Sequence, residues 1–545
     1  MKASDLFVKA LENEGVKYIF GIPGEENLDM LESLRESGIE VVVTRHEQAA
    51  GFMAATVGRL TGKVGVCIST LGPGATNFTT PSAYALLGGM PMMMVTGQKP
   101  IKKSKQGQFQ IIDVVGMMKP ITKYAKQVTH GSTVGNLVRE AVRIAEEEKP
   151  GPVHFEFPED IAREEVDLEL FKPVSVARPR ISRDEVVRLA GIIRQAKKPI
   201  FVLGAGCNRK EDVVGAMTKF IETTGFYFMN TQMGKGVIDE RSERFLGSAA
   251  LSANDSVHLA VAQADLIVVI GHDPIEKPPF IMMEDGPTVV HVNYYSAAMD
   301  RVYFPQEQFV GDIAGVFEDL AEELADFGFV SEDFARVRQI YLDYVAEGAR
   351  DERFPMVPAR VVSDMRSVMP SDGFVCLDNG MYKLWFARHY AAHERNTLIL
   401  DNALASMGAG LPSAMAAKLL YPERKVVAVC GDGGFMMNSQ ELETAVRMGL
   451  DLVVVILNDN GYGMIKWKQE DMGFEDFGLS FGNPDFVKYA ETYGAKGYRV
   501  SAVAEFGAVL GRCLNEKGVH VIEVPVDYSV NKELSGPALK EKFKN

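Results

Sequence analysis

Apolar runs that end in glycine or acidic turns recur along this chain. Val426 to Cys430 and Leu452 to Leu457 are unbroken apolar runs rich in β-branched residues. That is the pattern of strands buried on both faces of a parallel sheet. Between them Leu442, Ala445 and Val446 fall at helical spacing, which predicts a helix over 439–448 and hence a βαβ unit. The first run feeds Gly431-Asp432-Gly433-Gly434 and the second feeds Asn458-Asp459-Asn460-Gly461. Open α/β sheets bind ligands at the carboxyl ends of their strands, so both turns fall where chemistry is expected.

The same alternation divides the chain into three blocks. The first, 1–165, alternates predicted helices (3–14, 26–36, 48–61) with short strands (18–20, 41–44, 64–69), and 151–158 reads as its closing strand. Met92 to Met94 read as part of a buried strand, and the apolar stretch 83–95 around them is too short to cross a bilayer. A linker rich in Pro, Val and Arg follows at 172–183. The second block, 184–330, opens with a helix. It then runs a strand into Gly204-Ala205-Gly206 and repeats the form at 265–271. This is Rossmann-like, although the full dinucleotide pattern is missing. A polar helical linker, 332–353, leads to the third block, 355–530, which carries the acidic turns. The predicted class is α/β with three doubly wound parallel-sheet domains.

Composition narrows the picture. A chain of 545 residues exceeds a single core. The formal charge of −15 argues against nucleic acid and anionic membranes as partners. Five scattered cysteines in apolar contexts suit reduced thiols in a cytoplasmic protein rather than a disulfide framework or a zinc site. The first residues read as the start of an amphipathic helix, not as a signal peptide.

The residue types at the two turns suggest their chemistry. Glycines at 431, 433 and 434 let backbone N–H groups approach an anion. Asp432 and Asp459 are hard oxygen ligands suited to magnesium or calcium. Two carboxylates, a backbone carbonyl and a diphosphate would fill a magnesium shell. Either turn alone is an ordinary connection after a strand; the pair, each behind a buried strand, points to a site.

At these residues the sequence resembles the thiamine-diphosphate (ThDP) enzymes, with a Gly-Asp-Gly turn followed one strand later by an Asn/Asp-rich turn. The resemblance implies that the three blocks are pyrimidine-binding, central and diphosphate-binding domains. It implies that Asp432, Asp459 and the carbonyl of Gly461 hold Mg2+. Gly380, Met381 and Tyr382 would approach the diphosphate, with Gly431, Gly433, Gly434, Tyr462, Gly463 and Met464 around it. Ser406 and Met407 would grip and underlie the cofactor, with Pro23 and Asn77 at the pyrimidine site. Glu47 would hydrogen-bond the pyrimidine ring and promote loss of the thiazolium proton.

Within that family most of the chain resembles the acetolactate synthases, which decarboxylate pyruvate and join the fragment to a second 2-oxoacid. Gln110, in the Lys105-to-Asp113 loop, would face the reacting centre. Asp273-Pro274-Ile275-Glu276 resembles the FAD-independent, catabolic kind, which argues against FAD. Glu25 stands where decarboxylases of the family carry a proton-donating acid. It either protonates an intermediate and releases aldehyde, or caps the helix that follows. A non-carboligating 2-oxoacid decarboxylase is therefore the alternative function, and a non-catalytic nucleotide-binding protein a third. The resemblance also implies a cofactor held between two chains, hence a homodimer or homotetramer. Nothing in the sequence bears on a regulatory small subunit.

Overall fold

The computed structural model describes residues 1–102, 107–280 and 282–534. Lys105 and Gln106, which open the Gln110 loop motif, lie outside the described residues. The chain forms two compact units. One comprises Met1–Val176, Ala403–Pro422 and Asn438–Leu450; the other comprises Ala177–Asn402, Glu423–Met437 and Asp451–Asn545.

The first unit is built on a six-stranded, all-parallel sheet. Its strands are β1 (Tyr18–Ile22), β2 (Glu40–Val43), β3 (Gly65–Ser69), β4 (Met92–Gln98), β5 (Tyr124–Gln127) and β6 (Pro152–Pro158). They lie in the order β2-β1-β3-β4-β6-β5. Every residue of β3, β4 and β6 is buried, whereas the edge strands β2 and β5 are partly exposed. These central strands are covered on both faces and are largely apolar, with His154, Glu156, Thr96 and Gln98 as buried polar exceptions. The helix predicted over 26–36 divides into a 3-10 turn, Glu25–Asn27, and a helix, Leu28–Arg35.

The second unit carries two parallel sheets. The central one comprises β7 (Pro199–Leu203), β8 (Tyr227–Thr231), β9 (Phe245–Ala249), β10 (Leu266–Ile270), β11 (Thr288–Asn293) and β12 (Glu307–Val310). Its order, β12-β11-β10-β7-β8-β9, reverses direction between β7 and β10, the doubly wound arrangement. The other comprises β13 (Phe374–Leu377), β14 (Leu398–Ile399), β15 (Val426–Gly431), β16 (Leu452–Asn458), β17 (Lys496–Arg499) and β18 (Val519–Pro525). Its order, β14-β13-β15-β16-β18-β17, repeats the strand order of the first sheet. The expected α/β class with three doubly wound parallel sheets is thus the observed one.

The segment 332–353 differs from a simple polar linker. Its helix, Glu332–Ala349, buries Phe334, Val337 and Tyr341 in the same apolar core as the central sheet. All five cysteines are buried and none is in a disulfide. Among the described residues no helix is long and apolar enough to cross a membrane.

Candidate active site

Strands β15 and β16 pair in parallel with Gly431 opposite Leu457, so the two acidic turns leave the sheet side by side. Asp432 opens the helix Asp432–Asn438, where a negative charge is favoured by the helix dipole. It is 1% exposed. One of its oxygens accepts the Gly433 N–H at 2.9 Å and the other accepts the Asn483 amide at 2.7 Å. Burial nevertheless raises its pKa. Asp459 is pushed up from 3.8 to about 7, first by burial and then by the charge of Asp432.

A buried carboxylate that raises the proton affinity of a half-buried neighbour fits a shared cation, because a divalent ion removes the repulsion that protonation otherwise relieves. The donor atoms are all oxygen, which suits Mg2+ rather than zinc. Among the described residues no three His, Cys, Asp or Glu side chains form a metal cluster. The pair therefore needs non-acidic donors, such as the Gly461 carbonyl or a ligand phosphate. Gly461 is held from outside its turn by a bridge to Ser480.

The turns are shaped for close approach. A Cβ on Gly434 would stand 2.3 Å from an Asp378 carboxylate oxygen, and one on Gly433 would stand 2.8 Å from the Tyr462 ring. Only hydrogen fits at either position, which keeps the turn's backbone bare, while the Gly433 N–H is itself taken up by Asp432. Gly380, Met381 and Tyr382 follow β13 at the same sheet edge. Tyr382 is buried, and its hydroxyl accepts the Gly431 N–H at 3.1 Å, so this ring braces the glycine turn. Gly463 and Met464 open the helix Gly463–Asp471. A cavity of about 310 Å³ beside it is lined by Asp459, Gly463, Trp467 and Tyr528. The Tyr528 hydroxyl is held well above its ordinary pKa by burial and by both carboxylates.

The other candidate residues belong to the first unit. Glu47 is the first residue of the helix Glu47–Thr61 and is 8% exposed. Its Oε2 accepts the Asn77 amide at 2.8 Å. Its Oε1 borders Gly74, where a Cβ would stand 3.0 Å away. Gln110 is exposed, adopts a φ of 60°, and sets its carbonyl against Gly72 in the same glycine loop. Pro23 is half-buried just beyond β1. Ser406 and Met407 are half-buried, and the Ser406 hydroxyl donates to the Met407 carbonyl at 3.1 Å. The Asn438 amide donates to the Gly408 carbonyl at 2.7 Å and to Gln48 Oε1 at 3.1 Å. One side chain thus spans the 406–408 loop and the start of the Glu47 helix.

Glu25 and Glu26 take opposite environments. The Glu25 side chain is 88% exposed, with Lys99 at 3.7 Å. Glu26 is buried, 2.6 Å from Lys99 Nζ, and accepts the Thr70 hydroxyl at 2.7 Å. Burial works to raise the Glu26 pKa, but the Lys99 and Thr70 bonds prevail and hold it below its ordinary value.

Glu47, Asn77, Gln110, Pro23, Glu25, Ser406 and Met407 therefore gather in one unit. Residues 380–382, 431–434 and 459–464 gather in the other. Reading the sequence missed Asn483, Asn438 and the Glu26–Lys99 pair. Asn483 carries no local signal, because a polar residue in a glycine-rich loop is commonplace. Asn438 closes the helix that Asp432 opens, a spacing that signals nothing until the fold is known.

Three family models match in the order of the sheets. The N-terminal TPP binding domain of thiamine pyrophosphate enzymes matches residues 1–117, the central domain 186–320 and the C-terminal TPP binding domain 378–524. An acetolactate synthase of Bacillus subtilis strain 168 is 32% identical over 552 residues, covering 99% of this chain and 96% of that protein. A catabolic acetolactate synthase of Raoultella terrigena is 34% identical over 544 residues, covering 98% and 96%. A probable acetolactate synthase large subunit of Methanococcus aeolicus is 28% identical over 575 residues, covering 99% and 94%. With three matched domains and end-to-end similarity, the chain belongs to the thiamine-diphosphate-dependent enzymes, among those that are acetolactate-synthase-like.

Proposed function

We propose that this enzyme decarboxylates pyruvate and joins the resulting fragment to a second 2-oxoacid, giving 2-acetolactate, with ThDP and Mg2+ as cofactors. The observation that carries the reading is Glu47, buried at a helix start with one carboxylate oxygen on Asn77 and the other against Gly74. ThDP, when bound, would supply a carbon nucleophile and an electron sink for decarboxylation. Glu47 holds a proton relay to the pyrimidine ring, and Asn77 fixes the carboxylate that does so. Ser406 and Met407 shape the seat of the cofactor, with Pro23 bordering the pyrimidine. Asp432, Asp459 and the Gly461 carbonyl would hold Mg2+, which would offset the charge of the diphosphate. The glycine turn 431–434, its Gly431 N–H held by Tyr382 and its Gly433 N–H by Asp432, would border that diphosphate, with Gly380, Met381, Tyr462, Gly463 and Met464 around it. Gln110 donates to substrate oxygens from the exposed loop.

FAD has no part in the proposal. In the central sheet the crevice at the β7–β10 switch is bridged by the Gly206 N–H donating to the Gly271 carbonyl at 2.7 Å. A Cβ on Gly204 would stand 2.5 Å from His272 Cα. Contact this close narrows the crevice where such folds usually bind a dinucleotide pyrophosphate, which supports a reading without FAD. We assign Glu25 a positioning role at the cofactor's pyrimidine side, since its side chain leans towards Lys99. A symmetric homodimer or homotetramer in the cytoplasm completes the reading. Exposed Phe477, Phe474 and Ile465 on the second unit, and Phe109 and Leu28 on the first, support a surface covered by another copy.

The test is product analysis of the purified, colour-checked protein with pyruvate, ThDP and Mg2+. Acetolactate from a colourless protein is expected. Acetaldehyde without acetolactate would make the enzyme a simple decarboxylase with Glu25 as proton donor. Neither product would exclude pyruvate as the donor.

A further inference from the structure

The chain beyond the Gly431–Gly434 turn returns to the first unit at residues 438–450 and grips the segment that carries Glu47. Glu441, in the helix Glu441–Arg447, is 0% exposed. Its Oε1 accepts the backbone N–H groups of both Arg45 and His46 at 3.0 Å. Its Oε2 accepts the Thr444 hydroxyl at 2.7 Å. Arg447, on the same helix, donates to the Val43 carbonyl at 2.5 Å. Asn438 donates to the Gln48 side chain. Val43, Arg45, His46 and Gln48 are thus each held from this one segment. They flank Glu47 on both sides, and Glu47 keeps its own carboxylate for Asn77 and Gly74.

A helix normally satisfies the N–H groups at its start with a side chain close in sequence. His46 does this locally, its Nδ1 accepting the Gln48 N–H at 3.0 Å. The N–H of that cap residue and the N–H of Arg45 before it take a wholly buried carboxylate from residue 441 instead. Burying a carboxylate is costly unless it is fully hydrogen-bonded, and bonds to the charged form are the strong ones. A neutral amide in its place has one oxygen acceptor and presents N–H groups where Thr444 donates. The backbone at 45–46 would then shift, carrying the first helical residue with it.

We propose that Glu441 is a positioning residue that sets the location of the Glu47 carboxylate through the Arg45 and His46 N–H groups. The inference rests on the reading of Glu47 as the group that activates ThDP. Misplacing a reacting group by an ångström costs on the order of 10²-fold.

The experiment compares the full-length protein with Glu441→Gln, Glu441→Asp and Thr444→Val, and with Glu47→Gln as reference. Three readouts are taken without substrate: ThDP affinity by calorimetry, melting temperature, and exchange of the thiazolium C2 proton of bound ThDP with deuterium. Glu441→Gln is expected to slow exchange roughly tenfold or more while ThDP Kd stays within about threefold. Glu441→Asp, which keeps the charge, falls between Gln and wild type. Exchange in Glu441→Gln within about twofold of wild type overturns the inference, as does slowing that only tracks lost ThDP binding and a lower melting temperature. If Glu441→Gln does not fold, Thr444→Val decides: slower exchange at unchanged Kd supports the inference and an unchanged rate overturns it. If wild-type protein exchanges the bound proton no faster than free ThDP, or Glu47→Gln exchanges like wild type, the reading of Glu47 itself fails and the inference falls with it.

Discussion

If Asp432 and Asp459 share a cation, as proposed, the metal-free protein carries a pH-dependent instability. Asp459 is raised from 3.8 to about 7 by burial and by Asp432. The unfolded chain gives up this proton near 3.8, the folded chain only near 7. The unfolded state therefore binds fewer protons between those values, and the metal-free fold loses stability as pH rises through that window. Above it the loss is complete and stays constant. A shift of this size corresponds to about 4 kcal/mol, an upper figure because Asp459 keeps some contact with solvent. Asp459→Asn removes the titrating group and keeps the shape. In EDTA at about pH 8 the variant is expected to melt a few degrees above the wild type, with the gap closing by about pH 4. With Mg2+ and ThDP the order should invert, because a neutral amide is the weaker ligand. Melting curves across pH, with and without the cofactors, check both halves. Parallel pH profiles for the two proteins in EDTA would refute the argument that burial and Asp432 raise the Asp459 pKa in the folded state.

Other outcomes are equally specific. Glu47→Gln should lower turnover by about 10²–10⁴-fold while calorimetry still shows ThDP bound; near-normal turnover would remove Glu47 from the mechanism. Gly434→Ala, whose Cβ would meet Asp378 at 2.3 Å, should weaken ThDP binding and destabilise the second unit by about 1–3 kcal/mol. Gly507→Ala, in the helix Glu505–Asn515 with its nearest neighbour at 3.9 Å, should instead gain about 0.5–1 kcal/mol in denaturant titrations. Burial depresses His154 from 6.5 to about 3 in the folded state. Below about pH 6.5 only the unfolded chain takes up that proton, so the first unit should lose roughly 2 kcal/mol by pH 5, a slope that His154→Asn flattens. An unchanged acid limb in that variant would assign the slope to other groups.

Much of the third block was legible in the chain. Residues 426–430 and 452–457 could be assigned to parallel strands because a strand covered on both faces tolerates few polar side chains. The acidic turns behind them then had to emerge at the binding edge. Other features were hidden. The first and third sheets share one strand order, yet no internal repeat announces it, because buried strands constrain residue class and not identity. Glu25 and Glu26 are adjacent carboxylates of equal propensity; the 3-10 turn at 25–27 turns one to solvent and the other to Lys99. The helix over 439–448 was visible by its spacing, but its membership of the first unit was not, because that depends on which backbone N–H groups Glu441 meets.

The sequence by itself thus determined the α/β class, the buried strands and the residue types able to hold a cation and a diphosphate, since these follow from periodicity, glycine geometry and ligand chemistry along short stretches. Only the tertiary structure decided which strands neighbour one another, which acid is buried, and that Glu47 is held in place from residues 438–447. Those outcomes depend on contacts between segments hundreds of residues apart, and no local pattern encodes them.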